Sequence, residues 1–250
     1  MMKWIFSLLL LFTSLWGNSH EALFEALDVA NAAEAHLKWY QKGDRWTFED
    51  RYEERRDEIL PLLEALGYFE AKEASKTHYD YAVVLGALHA AVQKRIDHLI
   101  AEYNRGVRFD TIVFLTGMRP VHPEKEMGFT GTETTVMIQV WNTTPMPEEL
   151  RTLPLIIIDA LPLPQQGRPT TESTLLAWLE ENPKPGSCLF FSSQPHVICQ
   201  DTIIRYVLPS SFEIETIGPE GGRNLPLAVL LDTIARGFYW SDLLLQKDLR

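Results

Sequence analysis

Five short apolar runs do most to limit what this chain can fold into. They read YAVVL (81–85), TIVFL (111–115), LIII (155–158), CLFF (188–191) and FEIETI (212–217). Four are nearly continuous rather than alternating, as expected of strands covered on both faces. Helical periodicity follows each run, at about 88–103, 133–141, 171–181, 195–208 and 225–245. Strands alternating with helices predict an α/β chain: a three-layer αβα, Rossmann-like domain over residues 80–250, built on a mostly parallel five-stranded sheet. No internal repeat and no second core pattern interrupts it.

Ahead of the domain, apolar residues recur at helical spacing over 20–42, with Gly43-Asp44 as a break. A second helical pattern covers 47–66 and stops at Gly67. The stretch 20–67 therefore reads as an N-terminal helical extension packed on the main domain. Its charged run EDRYEERRDE reads as a solvated helix face.

Residues 1–19 have the layout of a secretory signal peptide. Met1-Met2-Lys3 is a positive start, WIFSLLLLFTSLW is an apolar run, and Gly17-Asn18-Ser19 supplies small residues before His20. The run is shorter than the ~20 residues of a membrane-spanning helix. A secreted or periplasmic protein of the cell envelope is expected, with no membrane span once the signal is removed. The alternative is an uncleaved N-terminal membrane anchor.

The formal net charge of −11 and the lack of any dense basic run argue against a nucleic-acid partner. Cys188 and Cys199 are expected to be buried free thiols. The strand between them separates their levels by roughly 15 Å at ~3.3 Å per residue, and a disulfide needs Cα atoms within about 7 Å. No metal-ligand spacing is present, and no GxGxxG, Walker or GxSxG motif. The metal prediction is therefore none, and a cofactor is left unspecified.

In an open parallel sheet, ligands bind beyond the carboxyl ends of the strands. The residues there are Gly86; Thr116, Gly117, Met118 and Arg119; Asp159; Ser192, Ser193 and His196; and Gly218. His196 and Glu172 are the acid–base types, taken as the candidate catalytic pair. Arg119 and Arg168, on neighbouring strand-end loops, suit a carboxylate or phosphate, so a small anionic ligand is the expected partner. Thr170 and Thr171 begin a helix, where they cap it or help to hold an anion. Gly86 and Gly117 serve tight turns or close approach to a ligand. Ser193, His196 and Asp159 can be written as a triad, but the local sequence gives that little support.

These pieces, in order, resemble the bacterial envelope family that includes SanA, ElyC and YdcF. The matching stretches are YAVVLG, a helix carrying Arg95 and ending EYNRG, TIVFLTG with a glutamate-bearing loop, RPTTEST, and LFFSSQPH, together covering about 80–218. The resemblance implies a Rossmann-like domain facing the bacterial envelope, with a role in envelope or peptidoglycan-precursor metabolism. It places Gly86, Arg95, Gly117, Thr171, Glu172, Ser193 and His196 on motif positions. Glu126 and Glu133 compete for the loop glutamate, with Glu126 taken as the site residue. Cys199 stands where the family often has Arg, Thr116-Gly117 replaces Ser-Gly, and Ser173 stands where Asn is common, which implies a divergent member.

Three functions remain open from sequence. One is an enzyme acting on a small anionic or phosphorylated envelope metabolite. The others are a non-catalytic small-ligand-binding domain and an envelope scaffold.

Overall fold

The computed structural model describes residues 20–43, 47–164 and 167–249. The predicted signal or anchor, residues 1–19, lies outside the described residues.

The apolar runs form β1 (His78–Leu85), β2 (Arg108–Gly117), β3 (Leu155–Ala160), β4 (Ser187–Phe191) and β5 (Glu213–Ile217). All pair in parallel, in the order β3-β2-β1-β4-β5. The helices of the main domain are α3 (His89–Arg105), α4 (Glu133–Thr143), α5 (Glu148–Arg151), α6 (Thr171–Glu180), α7 (Val197–Val207) and α8 (Leu227–Asp248). Before them come a helical segment at 20–26, then α1 (Ala32–Trp39) and α2 (Arg56–Ala65).

Period-two alternation explains why the central runs are continuous. Ala82, Val84, Ile112, Phe114, Leu189 and Phe191 face α3 and α4, packing on Ile96, Leu99, Met137 and Trp141. Their neighbours Val83, Leu85, Val113, Leu115, Cys188 and Phe190 face the other way, onto Leu175 and Trp178 of α6 and Ile204 of α7. Every position on β1 from Ala82 to Leu85 is buried, so every one is apolar. The fold is thus a three-layer αβα, Rossmann-like one. Its sheet is wholly parallel, where the sequence predicts only a mostly parallel one. Both cysteines are buried free thiols.

The amino-terminal helices bury their apolar rows against α8. Leu23, Phe24, Leu27, Trp39, Ile59 and Leu63 pack with Leu227, Leu230, Leu231, Ile234 and Phe238. The predicted helix at 20–42 is two helices. Asp28 adopts a left-handed backbone with φ of 51°, and the Asn31 side chain accepts from the Glu34 N–H at 3.0 Å to start α1 afresh. The predicted helix at 47–66 starts late, as a short 3₁₀ turn at Glu53–Arg55 leading into α2. Its charged run is more than a solvated face. Asp50 and Glu53 accept from the amides of Ala228 and Leu227 at 3.1 and 3.2 Å. Two carboxylates therefore sit at the amino end of α8, where the unpaired N–H groups and the helix dipole favour negative charge. Arg56 donates to the carbonyls of Arg223 and Leu225 just before that helix.

Among the described residues, no helix is long and apolar enough to cross a membrane.

Candidate functional site

The strand order reverses between β1 and β4, the point at which sheets of this type open a crevice beyond the strand ends. One long side chain spans it. Arg95, buried on α3, donates from one guanidinium nitrogen to the carbonyls of Leu85 and Gly86 at 2.7 and 2.8 Å. The other terminal nitrogen reaches Ser193 Oγ at 3.3 Å, just past β4. A fork of donors suits this task, since parallel strands end in carbonyls that the ladder leaves unused.

On the β2 side the loop 118–132 folds back over the strand ends, held by Arg119. Its Nε donates to Glu133 Oε2 at 3.0 Å, and its two terminal nitrogens donate to Glu126 at 2.9 and 3.2 Å. Glu126 accepts two further bonds, from the amides of His89 and His122 at 2.9 and 2.8 Å. Burial acts to raise the proton affinity of Glu126, but the Arg119 guanidinium and the two amides outweigh it and hold the carboxyl below its ordinary range. Glu126 is thus the anion at the amino terminus of α3, and its oxygens are taken up within the chain. It positions Arg119 and the loop.

Glu133 differs. It is the first residue of α4, and burial pushes its carboxyl above the ordinary range against the opposing pull of Arg119 and Arg95. Its Oε1 lies against Gly86, where a Cβ would stand 2.2 Å from it and 2.9 Å from the Leu115 carbonyl. Only glycine leaves room for the carboxylate there. Thr116 Oγ1 lies 3.5 Å from Oε1 and 3.1 Å from Thr134 Oγ1, and Thr134 donates to Asp159 Oδ1 at 2.6 Å.

The remaining residues singled out from sequence fall around this centre. Gly117 lies under Pro169, whose Cβ would be 2.4 Å from any added side chain, so Pro169 closes onto the end of β2. Thr171 Oγ1 accepts from Gln200 at 3.4 Å, and Ser192 Oγ bonds the same Gln200, tying the starts of α6 and α7 to the end of β4. Glu172 stands in the first turn of α6. Arg168 is exposed, with no hydrogen bond or ion pair among the described residues, so its cation is open to solvent. His196 starts α7. Its Nδ1 lies 3.2 Å from Thr233 Oγ1, whose own proton goes to the Val229 carbonyl. The ring therefore donates from Nδ1 and is held against α8, while Glu133 sits among β1, β2 and α4.

Thr170 caps α6 reciprocally. Its hydroxyl accepts from the Ser173 N–H at 3.3 Å, and its own N–H donates to Ser173 Oγ at 2.8 Å. Replacing Thr170 by Ala is expected to lower the unfolding free energy by about 1 kcal/mol, with Thr170→Ser retaining most of it. Urea unfolding followed by tryptophan fluorescence measures both, and equal stability of all three chains would deny the cap its role.

The sequence offers Glu133 beside Glu126 for the loop glutamate and does not single out Thr134. A signal was present: Thr132 with Thr135 and Thr170 with Ser173 form the same capping box at two helix starts, with Glu133 directly after its cap and Glu172 one residue further on. Two surface hollows of about 230 and 250 Å³ lie elsewhere. One is beside Trp39, Tyr52 and Leu231, the other beside Tyr79 and Glu215 at the amino ends of β1 and β5. Among the described residues, no group of three or more His, Cys, Asp or Glu side chains is placed to hold a metal ion. No protein-family model, no curated protein and no solved structure matches this chain.

Proposed function

We propose that this chain is an enzyme that uses a glutamate as general acid–base group on a small anionic, in particular phosphorylated, metabolite of the cell envelope. One observation carries the reading. Glu133 is a carboxyl buried at the carboxyl ends of β1 and β2, with its proton affinity raised by burial even though Arg119 donates to it. At Glu126, which shares the same arginine, Arg119 and the two amides outweigh burial and the shift is the other way. A carboxyl with raised proton affinity beside an arginine at the strand ends is a candidate for acid–base work.

Arg119 is committed to two carboxylates, so the cation that meets the anion is Arg168, exposed beside the Pro169 that closes over Gly117. Glu133 stands ahead of His196 and Glu172 as the leading acid–base group, because it lies against the ends of β1 and β2 and accepts from Arg119 there. Export to the envelope rests on residues 1–19, and membership of the SanA, ElyC and YdcF family on the quoted motifs. Both belong to this proposal.

The test is a thermal-shift titration of the full chain with a panel of sugar, nucleoside and polyprenyl-type phosphates, paired with assay of released phosphate. A ligand at 100 times its Kd stabilises by about 2.7 kcal/mol. At least one phosphate is expected to raise the melting temperature, and Arg168→Ala to weaken that binding about tenfold or more. Turnover of the same compound supports the enzyme, whereas binding with no turnover of any bound compound turns the reading into a non-catalytic carrier. No shift with any member of the panel removes the anionic ligand.

A further inference from the structure

Asp159, Thr134, Thr116 and Glu133 form a single file of oxygens. The separations are 2.6 Å from Thr134 Oγ1 to Asp159 Oδ1, 3.1 Å between the two hydroxyls, and 3.5 Å from Thr116 Oγ1 to Glu133 Oε1. Thr116 is fully buried and Thr134 nearly so, while Asp159 is exposed at the end of the edge strand β3.

Each hydroxyl has one proton to give. A carboxylate only accepts, so the Thr134 proton goes to Asp159 across the shortest separation. Thr116 then has one proton and two acceptors, Thr134 Oγ1 at 3.1 Å and Glu133 Oε1 at 3.5 Å. Given to Glu133, that proton supports the ionised carboxylate. Given to the nearer Thr134, it leaves Oε1 facing a lone pair, into which a carboxylic acid donates.

We propose that Asp159, acting through Thr134 and Thr116, sets the direction of this hydroxyl file and so holds the proton on Oε1 of Glu133. Asp159 and the two threonines are positioning residues for the acid–base carboxyl, and the inference rests on that reading of Glu133. The other charged groups facing Glu133 are Arg119 from the loop, Arg95 from α3, and Glu126 behind Arg119. The arginines favour the ionised form, and Arg119 does so through Oε2. The file acts on Oε1, so one carboxyl is addressed by opposite influences at its two oxygens. A surface residue thereby controls a proton in the interior.

The experiment is carbon-13 NMR titration of the glutamate side-chain carboxyls in the full chain, with the Glu133 resonance assigned by its loss in Glu133→Gln. In Thr134→Val the Thr116 proton is released toward Glu133, and the titration midpoint is expected to fall by about one pH unit. Asp159→Asn, at an exposed position, offers an amide donor to Thr134 and is expected to move the midpoint the same way. Thr134→Ser keeps the hydroxyl and is expected to restore the parent value, which a purely steric role would not require. A midpoint high in the parent and unmoved in both Thr134→Val and Asp159→Asn overturns the file but leaves Glu133 as the acid–base group. An ordinary midpoint in the parent overturns both.

Discussion

Replacing Arg119 by Met is expected to lower the unfolding free energy by about 3–5 kcal/mol near neutral pH, the cost of breaking a buried ion pair from one side. Arg119 serves two carboxylates at once, and its side chain is 15% exposed against 0% for Glu126 and 12% for Glu133. Methionine fills much of the volume but leaves both carboxylates without their cation. It also removes the bonds to the carbonyls of Ala87 and Pro120 that hold the loop 118–132 down.

The loss should depend on pH with a definite sign. Glu126 is held below its ordinary range in the folded chain, so its contribution is present above the unfolded value and lost as pH falls through the folded one. In Arg119→Met that contribution is gone, and the stranded carboxyls take up protons more readily. The gap between parent and variant is therefore expected to be widest near pH 7 and to narrow as pH falls, first as the variant's stranded carboxyls take up protons and then through the lowered folded value of Glu126 in the parent. Urea unfolding at several pH values measures it. A gap that is constant with pH would assign the loss to packing and not to charge.

The strands and their burial on both faces were legible because period-two alternation in a doubly covered sheet leaves no polar position. Val83 and Val84 face opposite layers, and both must be apolar. The amino-terminal helices were less legible. Alanine and leucine continue at helical spacing through 27–31, so periodicity alone does not show that Asp28 turns left-handed and Asn31 caps a new helix. The charged run at 49–58 reads as solvated because charge usually is. Its use at the amino end of α8 comes from a helix some 170 residues away, which no local pattern carries.

The site was legible as a place and less so as a set of roles. Strand ends mark where the loops converge, and Arg119, Glu126, Gly86 and Arg95 do meet around β1 and β2. Which glutamate is held below its ordinary range and which above it depends on burial and on how many donors reach each one. Four bonds reach Glu126, from three residues. That count is three-dimensional, and residue type does not contain it. His196 illustrates the same limit, since its partner Thr233 lies on the last helix.

Glu133→Gln is expected to lose about 10²–10⁴ in turnover, the usual contribution of a general acid–base group, and yet to be more stable than the parent near neutral pH. Burial holds the Glu133 carboxyl above its ordinary range in the folded chain, with Arg119 and Arg95 opposing. A carboxyl of that kind contributes fully below its unfolded value, and stability falls as pH rises through the folded value, because the buried group must then be charged. Glutamine has the same shape and no charge to bury. Its carbonyl still accepts from Arg119 Nε, its amide donates toward Thr116 where the carboxylic acid proton would lie, and Arg119 keeps its bonds to Glu126. A gain of about 0.5–2 kcal/mol is expected above pH 7, the range typical of relieving a functional strain, vanishing toward pH 4 where Glu133 is itself protonated. Calorimetric melting across that range, with the turnover assay on the same samples, measures both effects. A Glu133→Gln chain less stable than the parent at every pH would make Glu133 a structural partner of Arg119 and leave the proposed reaction without its acid.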